Sequence, residues 1–152
     1  MNVPTDITSE QDLKLAFADG NAGGYKVPSL IGLNVTAPYL HDGGVAAGAE
    51  ALKQGKKRFE VANPKQIGMA GTLMQGILPD PGASLRVLVD RSLRREAIAA
   101  NRKNESLRKS NVDGSGHRYW VDPGAGFSLQ DQTDLIQFLL SLDDNPEVLP
   151  SQ

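Results

Sequence analysis

At 152 residues, with a formal net charge of −2 and no cysteine, the chain has the length of one domain. It can form neither a disulfide nor a thiolate metal site. Hydrophobic residues make up 39% and aromatic residues 5%, against 16 glycines and 9 prolines, a composition that points to a few helices joined by long ordered loops. No run approaches the roughly 20 apolar residues of a membrane-spanning helix, and residues 1–30 lack a basic-then-apolar leader pattern. The small net charge hides a split. Residues 53–109 hold 13 basic and 5 acidic side chains, whereas the remainder holds 3 basic and 13 acidic. Such a split predicts an electrostatic face for an acidic partner, or for the carboxylates of a cofactor.

In chain order, residues 8–18 read as a short helix: Thr8 with Gln11, or Ser9 with Asp12, can form a capping box, and Leu13, Ala16 and Phe17 share a face. The Gly-rich run 19–24 ends it. Residues 25–44 read as an irregular ordered loop, because Pro28 and Pro38 disfavour helix before them and His41-Asp42-Gly43-Gly44 supplies a turn. Leu30, Ile31, Leu33, Val35, Tyr39 and Leu40 make that loop apolar, so it must pack on something. A helix is expected over 45–54, ended by Gly55, and a short Gly-interrupted one within 66–78.

Residues 83–109 form the longest segment free of Gly and Pro. Leu85, Leu88, Val89, Leu93, Ala97, Ala100 and Leu107 give it a helical stripe, predicting one long basic helix. Ser128 and Asp131 then form a capping box for a final helix over 129–142, whose apolar face is read as Leu135, Phe138, Leu139 and Leu142. Residues 143–152 read as a tail.

Three blocks carry a resemblance. Tyr25-Lys26-Val27-Pro28-Ser29-Leu30 leads to Val35-Thr36-Ala37-Pro38-Tyr39-Leu40-His41-Asp42-Gly43. Gly116-His117-Arg118-Tyr119-Trp120 then precedes Phe127-Ser128-Leu129 and the run Asp134 to Leu142. In this order they resemble the second half of a haem domain in the bacterial di-haem cytochrome c peroxidase family, and the related cytochrome c modules of larger secreted proteins. The resemblance implies a mainly α, cytochrome c-like domain portion over 1–142, with the basic helix 83–109 as an insertion. It also implies electron transfer and a periplasmic or extracellular location. Peroxide reduction would follow only if an upstream peroxidatic haem exists.

The same resemblance supplies site residues. Pro28, Leu30, Pro38 and Tyr39 would wall a haem, and His41 would stand at the crevice edge without binding iron. The axial thioether would come from downstream, with Met74 ahead of Met69. His117, Tyr119 and Trp120 would form an aromatic plug seating the final helix. A calcium contact at 19–24 is a further implication, although that run is too short for an EF-hand loop.

Family members attach haem c through C-x-x-C-H, which this chain lacks, so the haem would be attached through residues upstream of it, on the same or another chain. Val27, Leu30, Leu33, Tyr39, Leu40 and Met74 should then line an open concave surface. The partners implied are that haem-carrying segment and a redox partner protein, with no nucleic acid and no membrane span. The alternative is a haem-less helical interaction or structural module that binds an acidic partner through residues 53–109.

Overall fold

A computed structural model describes residues 30–40, 42–110, 112–116 and 119–142. The helix expected over 8–18, the calcium contact, and Pro28, His41, His117 and the tail lie outside the described residues.

Residues 30–40 and 42–46 run as turns without helix or strand, as their prolines and glycines require. The helix expected over 45–54 is not there. Val45, Ala46 and Ala47 are fully buried in extended and turn conformations, Ala47 bridges Ile67, and the chain then enters strand β1 (Leu52–Gln54). The small apolar side chains of this stretch are used for close packing under the helices rather than for helix propensity. β1 pairs antiparallel with β2 (Phe59–Val61), matching Leu52 with Val61 and Gln54 with Phe59. This hairpin is the only sheet among the described residues.

Helix predominates from there onward. After a 3-10 turn at Pro64–Gln66 come α1 (Gly68–Gly71) and a second 3-10 turn at Leu73–Gln75. Helix α2 spans Pro81–Val89, α3 Arg91–Lys103, α4 Glu105–Lys109 and α5 Leu129–Ser141. A 3-10 turn at Pro123–Ala125 precedes α5.

The single basic helix expected over 83–109 is therefore three helices. Two side chains divide it. Asp90 accepts hydrogen bonds from the N–H groups of Ser92 and Leu93, and Asn104 accepts from Ser106 and Leu107. Each competes with the helix for backbone donors and begins a new helix from an extended residue. Pro81 occupies the first turn of α2 behind the Asp80 cap, a position where its missing N–H costs nothing.

α3 lies centrally, packed on α1, α2 and β2, while α2 also packs on α5. The core gathers Tyr39, Val45, Ala47, Ala51, Ile67, Leu85, Val87, Leu93, Ala97 and Ile136. The stripe read along 83–109 is largely the one buried. On α5 the buried pair is Gln132 and Ile136, and Phe138 is 59% exposed rather than inward. The cause is polar. Gln132 accepts from Arg86 Nη1 at 2.7 Å and donates to the Val121 carbonyl at 2.7 Å, which rotates the helix about its expected apolar face.

Candidate functional site

The loop that carries the resemblance is held by carboxylate and amide bonds rather than by regular structure. Asp42 Oδ1 accepts from the Gly44 N–H at 2.9 Å, and its Oδ2 accepts from the Gly114 N–H at 2.9 Å. This carboxylate thus joins the loop to residues 112–116, some 70 positions away. Gly44 and Gly114 meet backbone to backbone; a Cβ on Gly44 would lie 2.3 Å from the Gly114 nitrogen, so glycine is required there. Asn101 of α3 completes the junction. Its Nδ2 donates to the Gly44 carbonyl at 2.8 Å and the Asp113 carbonyl at 3.2 Å, and its Oδ1 accepts from the Ala70 N–H at 3.1 Å.

Around this junction the methionines take different places. Gly43 has φ +64°, and a Cβ there would come within 3.0 Å of Met69 Cε and 3.2 Å of Pro38 Cγ. Met69 therefore lies half-buried against Pro38 and the turn after Tyr39. Met74, on the 3-10 turn Leu73–Gln75, is 45% exposed. Leu30, at 50%, and Ile31 are exposed as well, Leu33, Pro38 and Leu40 are half-buried, and Tyr39 is buried.

Of the six side chains expected to line an open concave surface, Val27 lies outside the described residues, Leu30 and Met74 are exposed, Leu33 and Leu40 are half-buried, and Tyr39 is used by the core. Its hydroxyl donates to the Leu33 carbonyl, and burial, with the Asp80 charge adding to it, pushes the phenol up to about 12. Among the described residues no group of three or more His, Asp or Glu side chains converges as a metal cage would require. The fit to a haem is accordingly one-sided. An exposed methionine and apolar neighbours are present, but no thiol for thioether attachment.

Sequence reasoning did not anticipate a second constellation, built of buried arginines. Arg94 is 2% exposed, and its guanidinium donates to the carbonyls of Gly114 at 2.8 Å, Leu88 at 3.0 Å, and Gly116. Arg86 reaches Gln132 and Thr133 and lies 3.7 Å from the centre of the Phe59 ring. Burial lowers the pKa of both guanidiniums, opposed by Asp90 for Arg86 and by Asp42 and Asp113 for Arg94. These two arginines are structural. Each caps carbonyls or binds side chains that the loops would otherwise leave unpaired.

Outside them lies an open groove of about 790 Å³ beside α3, lined by Arg91, Arg95, Arg102, Ile98, Ser115 and Trp120, with Arg94 behind. Trp120 stands 5.6 Å from both the Arg91 and the Arg94 guanidinium carbons. Its position corrects the expected aromatic plug: Trp120 packs towards α3, and Tyr119 is 82% exposed. The spacing of Arg91, Arg95 and Arg102 along one helix face was the available signal, obscured by reading 83–109 as a single solvated helix.

Comparison of the chain with protein-family models, with curated proteins and with solved structures gave no match.

Proposed function

We propose that this chain is the cysteine-free part of a c-type haem electron-transfer protein of the di-haem peroxidase-like kind, with a cytochrome c-like fold. It works with an upstream segment or partner chain that carries the haem attachment, in a periplasmic or extracellular setting. The observation that supports the reading is the 45% exposure of Met74, downstream of the turn at Gly43, with Met69 lying close to that turn. A bound haem supplies a one-electron iron couple whose potential the axial ligand and burial set.

The chain's own residues have separable tasks. Met74 offers a soft sulfur without first breaking a core contact. Met69, Pro38 and Leu40 form an apolar wall that keeps water away, and Leu30 extends it. In this reading His41 borders the haem without binding its iron. Asp42, tied to Gly44 and Gly114, fixes the turn that presents them. Peroxide reduction needs a further haem with an open face, so the activity assigned to this chain is electron transfer.

The test is expression of the complete reading frame with c-type cytochrome maturation, followed by spectra and redox titration of wild type, Met74→Leu and Met69→Leu. Met74→Leu should abolish the thioether-to-iron absorption and lower the reduction potential, while Met69→Leu should leave the ligation intact. Unchanged spectra in both variants would remove the proposed ligand.

A further inference from the structure

We propose that the groove between α3, Ser115 and Trp120 is a binding site for an acidic polypeptide segment, whose carboxylates are taken by Arg91, Arg95 and Arg102 while an apolar side chain rests on Trp120. The inference is independent of haem.

The first observation is the state of the cations. Arg95 is exposed and has no hydrogen-bond or ion-pair partner among the described residues. Arg91 Nε is buried without a hydrogen bond, because its nearest carboxylate oxygen, Asp122 Oδ2, lies at 3.9 Å and instead accepts from the Arg91 backbone N–H at 2.9 Å. A buried guanidinium donor left unpaired is uncommon, and the half-buried Arg91 side chain itself borders the groove. Arg91 also occupies the first position of α3, where the helix's own partial charge disfavours a cation. Arg102 spends Nε and Nη2 on Asp113 and keeps Nη1.

The second observation is that, among the described residues, Asp113 pairs with Arg102 and Asp122 lies 3.9 Å from Arg91, but no acid pairs with Arg95. The acids of this face are already engaged: Asp90 caps α3, and Asp122 caps the turn at Pro123–Ala125 and the Arg91 N–H. The positive surface continues through a smaller cleft of about 380 Å³ where Lys57 and Arg58 join Arg91 and Arg95. A band of this length exceeds what one small anion needs and matches an extended segment with several carboxylates.

Guanidinium forks suit carboxylates, and the half-buried Trp120 adds an apolar floor with cations beside its ring. Nucleic acid fits less well. The chain is net acidic overall, and the groove offers one aromatic ring rather than a series on which bases could stack.

Trp120 is the only tryptophan in the chain, so its emission reports on this groove. The experiment titrates the full chain with a short Glu-rich peptide carrying one central leucine and no aromatic residue. The same peptide with Gln for Glu, and a single-stranded oligonucleotide, are run alongside. Arg95→Glu is compared with Lys65→Glu, which makes the same charge change on an exposed turn away from the groove. Circular dichroism confirms that both variants fold.

The proposal expects a saturable change in emission with the Glu peptide and none with the Gln peptide. It expects Arg95→Glu to weaken binding by about tenfold or more, as loss of a charge-assisted pair should, and Lys65→Glu by less than about twofold, as a screened remote charge should. Equal weakening by both variants would reduce the effect to net charge and overturn the site. No response to the Glu peptide would overturn it as well, and tighter saturation by the oligonucleotide would overturn the choice of ligand.

Discussion

Asn101 shows how much of this molecule depends on single polar side chains. It is fully buried, and its three hydrogen bonds bind together the loop at Gly44, the start of α1 at Ala70 and the segment at Asp113. Asn101→Ala leaves two carbonyls and one N–H unpaired in a region closed to water. The expected loss is about 3 kcal/mol or more in urea unfolding, and a loss below about 1 kcal/mol, the scale of a single net hydrogen bond, would mean that the junction contributes little.

Asp113 offers a pH test of the same junction. Burial opposes its ionisation, but hydrogen bonds from Ser115 and Arg102, with the Arg102 charge, outweigh burial and hold the carboxyl below its usual value of 3.8. A depressed folded-state pKa means that unfolding takes up a proton at low pH. The contribution is therefore complete above 3.8 and is lost as pH falls through the folded value. Melting temperature should drop more steeply below that pH in wild type than in Asp113→Asn, and parallel curves would rule the coupling out.

At the scale of elements, caps divide the chain more sharply than apolar periodicity suggests. Asp90-Arg91-Ser92-Leu93 and Asn104-Glu105-Ser106-Leu107 share a pattern, an Asp or Asn followed at the third and fourth residues by Ser and Leu, and each opens a helix. Asp90→Ala should cost about 1–2 kcal/mol for the lost cap, read by chemical denaturation, whereas Asp90→Asn should retain most of it. Equal loss in both would assign the effect to charge instead.

What was legible locally came through. The Ser128–Asp131 capping box, the loop around Pro38 and the inward Leu85, Leu93, Ala97 and Leu107 all follow from short-range pattern. What escaped needed distant partners. Val45 to Ala47 look helical until Gly68, Asp80 and Ser84 take the backbone groups of Ala46 and Ala47, and α5 turns Gln132 inward only because Arg86 and Val121 are there to meet it. The candidate site divides in the same way: its methionines could be named from the sequence, but which one stays more exposed depends on the packing of Met69 against Pro38 and Gly43.

At the scale of the whole molecule, a helical body presents two unlike surfaces. One is basic, along α3. The other is apolar in character, for among the described residues Leu30, Ile31, Val35, Leu73, Met74 and Leu78 are all exposed. Large apolar side chains left in water are unremarkable singly and informative in number, because a self-sufficient monomer gains by covering them. No helix among the described residues is long and apolar enough to cross a membrane, so a bilayer-spanning helix does not account for them.

The haem-bearing partner proposed above would account for them, and would give a reason for an apolar loop fixed so firmly by Asp42 and Asn101. The direct test is to isolate the native polypeptide with an antibody against residues 129–142, then stain it for haem under denaturing conditions and measure its intact mass together with that of any chain that co-purifies. The account predicts covalent haem on the polypeptide containing this sequence or on its stoichiometric companion. A native polypeptide beginning at Met1, free of haem and purified without a haem-bearing companion, would contradict it.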